Sequence, residues 1–344
     1  MIIDAIAIIF VFGLLVLVHE FGHFIMAKKT GMRVDEFAIG FGPKLISTRR
    51  GETVYSIRAI PLGGFNKIAG MEQGEDEDAG ERAYWRRPVW ARMVVILAGA
   101  VMNFILPFFI FAGTFFFAGI QIPSTEPVLG TVMSDGAASQ AGLKEGDRII
   151  SIDGEPVDSW DNFVAKVQTA DGKVLKFAYL RGGEEKTASV VPRYDEQSKR
   201  AMIGVMSPVE TRDIGFVDSI KLGGTVVVNI IYQMYAALAG MITGSVPAEL
   251  SGPVGVAQMT SQAAHMGIAA LLRFAAILSL NLGVINLLPI PALDGGHFVV
   301  LLVEAVRRKP LNPKYVRGVQ LAGLVLILGL MFFATAQDIT RLMQ

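Results

Sequence analysis

Four stretches of this chain, residues 3–27, 93–119, 268–290 and 318–336, consist almost entirely of Val, Leu, Ile, Phe, Ala, Met and Gly. A helix needs ~20 such residues to cross the hydrocarbon core of a bilayer. Inside that core each backbone N–H and C=O must be bonded within the protein, which favours helices. The chain is 52% hydrophobic, and the apolar residues are gathered into these blocks rather than spread evenly. The expected fold is a polytopic α-helical membrane protein with about four transmembrane helices. Lys+Arg and Asp+Glu both total 31, so the net charge makes no case for nucleic acid as a partner. The chain has no cysteine, which removes disulfides, thiolate metal sites and cysteine nucleophiles. Any metal must be held by His, Asp or Glu.

The distribution of charge sets the topology. The first apolar run is followed, not preceded, by its positive charges, Lys28 and Lys29. It reads as a retained helix with its N-terminus outside the cytoplasm rather than as a cleaved secretory signal. Basic residues collect in 28–92 and in the loop with Arg307, Arg308, Lys309, Lys314 and Arg317, so both segments are expected to be cytoplasmic. Residues 121–206 then lie outside. Within 28–92, the Gly-rich, alternating pattern around Thr53–Ile60 predicts strands or a hairpin, and the acidic run 72–81 reads as a solvated loop. Pro107 is expected to kink the second span. Gly223–Ile242 is apolar but interrupted by Asn229, Gln233 and Gly240. Residues 217–247 are expected to lie along the outer interface. A crossing there would turn 268–290 outward and carry Asp294 away from the first helix. The domain plan is 1–120, a first membrane part; 121–206, an inserted domain; 207–267, a linker with an interfacial amphipathic helix; and 268–344, a second membrane part.

His19-Glu20-Phe21-Gly22-His23 stands near the end of the first run. On a helix, positions i and i+4 share a face, so both imidazoles can reach one metal ion, and the glutamate between them can take a proton from the attacking water. Zinc would lower that water's pKa to about 7 and polarise the scissile carbonyl. Charged groups in a membrane helix cost about 2.5–3.5 kcal/mol each on insertion scales, and a purely structural helix has no use for them. The bland alternative is that they face a polar bundle interior and bind nothing. A catalytic zinc site usually has three protein ligands and one open position. Asp294, His297 and Glu304 are the candidates for the third. Asp294 stands out because Pro289 and Pro291 break the helix before it and Gly295-Gly296 lets the backbone turn after it. The alternative for that segment is a simple helix-ending turn at the interface. His265 and His297 are expected to be structural or interfacial, with His297 close enough to Asp294 to support it.

His-Glu-Phe-Gly-His on the first helix, paired with Asn286-Leu-Leu-Pro289-Ile-Pro291-Ala-Leu-Asp294-Gly295-Gly296 late in the chain, resembles the site-2 protease family of intramembrane zinc metalloproteases, in particular bacterial regulator-of-sigma-E proteases. Gly40-Phe41-Gly42-Pro43, Pro61-Leu62-Gly63-Gly64, Gly252-Pro253-Val254-Gly255 and Ser279-Leu280-Asn281-Leu282-Gly283 extend the resemblance over almost the whole chain. It implies that His19, His23 and Asp294 bind Zn2+ and that Glu20 is the catalytic acid/base. Asn281, Asn286, Pro289 and Pro291 would hold an unwound substrate segment. The 53–70 hairpin would be a cytoplasmic, membrane-associated β element presenting an edge to the substrate. The chain departs from the family in having Ala100 where members often have Pro after the Gly at position 99. One extracytoplasmic domain is visible where the best-known relatives carry two.

Ala141-Gly-Leu-Lys-Glu-Gly-Asp-Arg-Ile-Ile150, followed by Ile152-Asp-Gly-Glu-Pro-Val157, resembles a bacterial PDZ domain, an α+β fold. Strands are predicted at Val128–Met133, Arg148–Ile152, Leu175–Leu180 and Thr187–Val191, with a helix at Trp160–Val167. PDZ domains bind a peptide by adding a strand to a sheet edge. That edge would be Val128–Val132, facing the helix, and the same groove could instead exclude bulky ectodomains. The resemblance as a whole implies hydrolysis of single-span membrane proteins, such as anti-sigma factors or remnant signal peptides, in the bacterial inner membrane. The zinc site would lie toward the cytoplasmic side and the PDZ-like domain outside, with the bilayer and a PDZ peptide ligand as further partners. A non-catalytic membrane adaptor is the competing reading, although a closed structural site would need no base at Glu20. A zinc transporter would show metal-binding groups along several spans.

Overall fold

The computed structural model describes residues 2–71, 77–196, 198–245 and 251–342. It contains two compact units, one made of Met1–Phe117 with Gly215–Gln344 and the other of Ala118–Ile214. The helices are α1 (Ile2–Lys29), α2 (Val89–Ala118), α3 (Ala137–Gln140), α4 (Trp160–Gln168), α5 (Phe216–Thr243), α6 (Pro253–His265), α7 (Ile268–Leu287), α8 (Asp294–Arg307) and α9 (Pro313–Leu342). The strands are β1 (Val34–Arg50), β2 (Thr53–Ile68), β3 (Ile120–Pro123), β4 (Arg148–Ile152), β5 (Glu155–Pro156), β6 (Leu175–Arg181), β7 (Glu184–Val190), β8 (Arg193–Asp195), β9 (Arg200–Met202) and β10 (Val209–Arg212). Of the acidic run 72–81, residues 72–76 lie outside the described residues.

Among the described residues, five helices are long and apolar enough to cross a membrane: α1, α2, α5, α7 and α9. Their relative directions follow from their contacts. Ala7, Val11 and Leu15 of α1 pack with Leu271 and Ala275 at the start of α7, while His19 and His23 lie beside Asp294 just after α7 ends. Helices α1 and α7 therefore run parallel. His23 bonds to Val95 near the start of α2 and His19 contacts Asn103 further along, so α2 is antiparallel to both. Helix α9 is also antiparallel to α1. Its Gln320 meets His297 near the end of α1 that carries His19 and His23, and its Asp338 accepts a hydrogen bond from Gly255 N of α6, whose other end holds Asp4 of α1 through Ser261. Helix α2 continues through Pro107 as one element.

The segment expected to form an interfacial amphipathic helix is one 28-residue helix, α5, running unbroken from Phe216 to Thr243. Phe216 stacks edge-on against Phe116, and Val227 is buried with Phe111, Ala276 and Leu280. Asn229, Gln233 and Gly240 do not interrupt it, because none of these residues removes a backbone donor as proline does. Helix propensity costs them only tenths of a kcal/mol, about 1 for glycine.

Strands β1 and β2 are long because each folds back on itself. Residues 34–39 pair with 64–68 on one side and with 54–57 on the other, and 44–50 pair with 53–58. The result is a curled sheet of four rows, in the order 44–50, 53–58, 34–39, 64–68, with register breaks around Gly40–Pro43. Row 64–68 is an edge lying along α1. At the far side Phe41, Leu45, Ile46, Ile57 and Ile60 are exposed. The turn is pinned by Glu52, which accepts two hydrogen bonds from Arg82 (2.6 and 2.8 Å) and one from Lys28 (2.5 Å). Those bonds hold the Glu52 carboxyl down to a pKa of about 2.

The Ala118–Ile214 unit has its own core around Phe163, Phe177, Ile149, Leu129 and Val190. Its main sheet has the order β5-β4-β6-β7, and α4 packs Phe163 and Val167 into the core, capped by Ser159. The expected strand at Val128–Met133 is not a regular strand. Only isolated bridges form there, Val128 with Arg148 and Val132 with Val205, because Gly130 lies against Ser207–Pro208 and Leu129 turns inward. Strands β3 and β10, at the two ends of the unit, pair antiparallel from Ile120 with Arg212 to Pro123 with Val209.

Candidate metal centre

Helix α1 puts His19 and His23 on one face, with their Nε2 atoms 3.1 Å apart. Asp294, the first residue of α8, places Oδ2 3.4 Å from His19 Nε2 and 3.6 Å from His23 Nε2. Among the described residues, these three form the group whose donor atoms converge to hold a metal ion. Asp294 Oδ2 is buried and has no hydrogen-bond partner. Zinc with tetrahedral bonds of ~2.0–2.1 Å keeps its donors ~3.3–3.5 Å apart. The triangle of 3.1, 3.4 and 3.6 Å is of that size, and two imidazoles with a carboxylate suit a catalytic zinc. The donor set fits the ion.

The backbone explains why the three converge. A Cβ at Gly99 of α2 would come within 2.3 Å of His23 Nε2 and 2.7 Å of His19 Cε1, so only glycine lets both rings lie against that helix. After α7 the chain leaves helical geometry at Leu288 (φ −63°, ψ 143°), and Ala292 adopts φ +73°. The first turn of α8 then packs directly onto this loop. A Cβ at Gly295 would meet Leu288 O at 2.2 Å, and one at Gly296 would meet Ile290 O at 2.3 Å. The proline breaks and the two glycines thus aim Asp294 back toward α1. His23 Nδ1 donates to Val95 O at 2.8 Å, which leaves its Nε2 lone pair facing the triangle.

Glu20 faces the sheet. Its Oε2 accepts a 2.8 Å hydrogen bond from Asn66 Nδ2, and the same amide donates to the Glu20 carbonyl. The two other candidates for third ligand are engaged elsewhere. His297 hydrogen-bonds with the side-chain amide of Gln320 (3.0 Å to Nδ1), and Glu304 forms an ion pair with Arg92 (3.0 Å) and accepts a hydrogen bond from Leu311 N (3.0 Å). Asn286 is buried in the last turn of α7, Asn281 is exposed one and a half turns earlier, Pro289 is exposed and Pro291 half-buried. His265 sits far from the triangle, against Asp4. Sequence reasoning missed Asn66, Gly99 and Asn103 as parts of the site. Asn103 carried a readable signal, a lone amide inside an apolar run.

A family model described as "Peptidase family M50" matches residues 7–330, taking in both halves of this site. The chain belongs to peptidase family M50. It is 34% identical to the regulator of sigma-W protease RasP of Bacillus subtilis, over 98% of each chain. It is also 34% identical to the zinc metalloprotease RasP of Bacillus licheniformis, over 98% of this chain and 99% of that one. Among solved structures, the PDZ domain of an SdrC-like protein from Listeria innocua is similar at 26% identity and a TM-score of 0.22, covering 24% of this chain and 93% of that one. This M50 peptidase is a membrane-embedded zinc metalloprotease of the site-2 type, and Zn2+ is its metal.

Proposed function

We propose that this M50 peptidase cleaves single-span membrane proteins inside the bilayer, with His19, His23 and Asp294 as zinc ligands and Glu20 as the acid/base. The observation that carries the reading is the donor triangle on a membrane helix, with the glutamate of that same helix hydrogen-bonded to a sheet edge. Zinc supplies Lewis acidity, lowering the pKa of water to about 7 and polarising the scissile carbonyl. Glu20 takes the proton of the attacking water and passes it to the leaving amine. A helical substrate keeps its peptide groups bonded internally, so it must unwind before cleavage. Row 64–68, the outer row of the curled sheet, is where the extended segment would add as a further strand. Asn281, Asn286, Pro289 and Pro291 hold the segment from the α7–α8 side.

Four crossings, by α1, α2, α7 and α9, fit the packing. Helices α1 and α7 run parallel and α2 antiparallel, so α2 ends and α7 begins on the same side of the membrane. Helix α5 lies between those two points, and α6, at 13 residues, is too short to return a full crossing. On this reading helix α5 leaves and regains the same side. The basic residues Lys28, Lys29, Arg307, Arg308 and Lys309 fall at the opposite end, which supports a zinc site toward the cytoplasm in the bacterial inner membrane. The exposed apolar face of the curled sheet rests on the bilayer from that side. The 121–206 domain, PDZ-like by its glycine-punctuated sequence, lies outside and governs which substrates approach, as a peptide receptor or as a filter against bulky ectodomains. Substrates already trimmed by another protease, such as anti-sigma factors, or remnant signal peptides, meet both requirements.

Purified Glu20→Gln protein should keep its zinc while cleavage of a single-span test substrate falls by ~10²–10⁴. Turnover equal to that of the unaltered enzyme would sink the assignment.

A further inference from the structure

Asn103 is fully buried in the middle of α2, one turn beyond Gly99. A buried amide in an apolar helix needs partners, because an unpaired polar group there costs about 1–3 kcal/mol. Its main-chain carbonyl accepts from Ser279 Oγ of α7 at 2.9 Å, and its Cβ packs over Gly283 of the same helix. Its side-chain amide lies 3.1 Å from His19 Nδ1. The nitrogen Nδ2 faces the ring, and the oxygen Oδ1 is buried with no hydrogen-bond partner.

That arrangement suits a metal-free ring. Nδ2 donates to Nδ1, the ring proton then sits on His19 Nε2, and Nε2 can donate to His23 Nε2 at 3.1 Å. Zinc requires the opposite tautomer. His19 can offer a lone pair at Nε2 only with its proton on Nδ1, and Nδ1 then needs an acceptor. A half-turn of the Asn103 amide brings Oδ1 to the place of Nδ2. The Gly99 carbonyl is the other acceptor near this ring, but it belongs to the backbone of α2 and cannot turn.

We infer that Asn103 is a positioning residue for the zinc site, its carboxamide oxygen accepting from His19 Nδ1 and so fixing the ring plane and the tautomer that present Nε2 to the metal. This rests on the reading of His19 as a ligand. Helix α7 holds Asn103 in place through Ser279 and Gly283, so the two halves of the zinc site share one brace.

The test is zinc affinity of the purified full-length protein, measured by competition with a chromogenic chelator, with melting of the zinc-free protein recorded alongside. Asn103→Ala keeps the Cβ over Gly283 and removes only the amide; Asn103→Leu restores its bulk without an acceptor. Both should weaken zinc binding by roughly 10–100-fold. Asn103→Asp, nearly isosteric and always an acceptor when ionised, should bind within about threefold of the unaltered protein. His19→Ala is the reference. If it keeps full zinc affinity, the ligand reading and this inference fall together. If it loses zinc while Asn103→Ala does not, the Gly99 carbonyl suffices and the inference alone is overturned. Asn103→Asp as weak as Asn103→Ala at equal melting temperature would overturn it as well.

Discussion

Asn66 binds Glu20 twice, donating 2.8 Å to the carboxylate and 2.5 Å to the main-chain carbonyl of the same residue. One amide on the sheet edge thus fixes both the Glu20 carboxylate and the helix that carries it. A hydrogen bond to a charged group is worth about 1.5–3 kcal/mol. Asn66→Val keeps a good strand residue and removes the donor. It should lower kcat by roughly 10–100-fold, with KM little changed and zinc content intact. Steady-state kinetics on a single-span substrate will read this; a rise in KM at constant kcat would assign Asn66 to substrate binding instead.

Gly99 is expected to tolerate no side chain. A methyl group 2.3 Å from His23 Nε2 must push the ring, and the ring cannot retreat because its Nδ1 is held by Val95 O. Gly99→Ala should lose most of its zinc while α2, already a strong helix, melts no earlier than before. Elemental analysis and circular dichroism check the two halves of that statement. Full zinc content would mean that the imidazoles approach the metal from another side.

In the inserted unit Asp147 is fully buried and accepts from Arg181 Nε and Nη2, both at 2.7 Å, and from Lys144 N at 2.8 Å. Burial pushes its carboxyl up, but the Arg181 bonds and the Lys144 amide outweigh this and hold it below the ordinary value. A carboxyl with a lowered folded pKa gives its full stabilisation above the unfolded value, ~3.9, and loses it as pH falls through the folded value. The excised segment 118–214 should unfold at constant denaturant midpoint from pH 7 to about pH 5 and weaken below about pH 4. Asp147→Asn should flatten that acid limb and cost ~2–3 kcal/mol at neutral pH, since Arg181 keeps partial access to water. An acid limb that survives the substitution would trace to other carboxylates.

The topology can be read with single cysteines, because the chain has none of its own. Ser219, near the start of α5, is buried, so its exposed neighbour Asp218 is the better position. Cysteines at Asp218 and Ser251 should react with an impermeant reagent from the outer side, and one at Arg308 should not. Labelling of Ser251→Cys only from the cytoplasmic side would make α5 a crossing and reverse the direction of α7.

The pieces legible in the sequence are those set by local chemistry. The i, i+4 histidines, the Pro-x-Pro break and the Gly-Gly after Asp294 each announce a geometry within a few residues. The long helices are equally plain from the length of their apolar runs. What the sequence hid depends on distant neighbours. Nothing local to Asn66 says that it will face Glu20, since that requires the sheet to fold back at Gly40–Pro43 and lay row 64–68 along α1. Gly99 looks like any small residue in an apolar helix until two imidazoles are set against it. Asn229 and Gln233 interrupt the apolar run without ending the helix, since a long helix carries such residues at small cost. The Val128–Met133 strand was predicted from β-branched composition, but Gly130 and the inward turn of Leu129 leave it only isolated bridges.

The antiparallel pairing of β3 with β10 closes the inserted unit at its own base. From the helices' standpoint, ~90 residues behave as a short loop, since the two chain ends that join them are already side by side. Such a joint is indifferent to what it carries. A unit of another size, a tandem pair or a bare turn could replace this one without disturbing the alignment of His19, His23 and Asp294. If the inserted unit governs substrate choice as proposed, a foreign unit grafted between Pro123 and Val209 should change which substrates are cut and leave peptide hydrolysis intact.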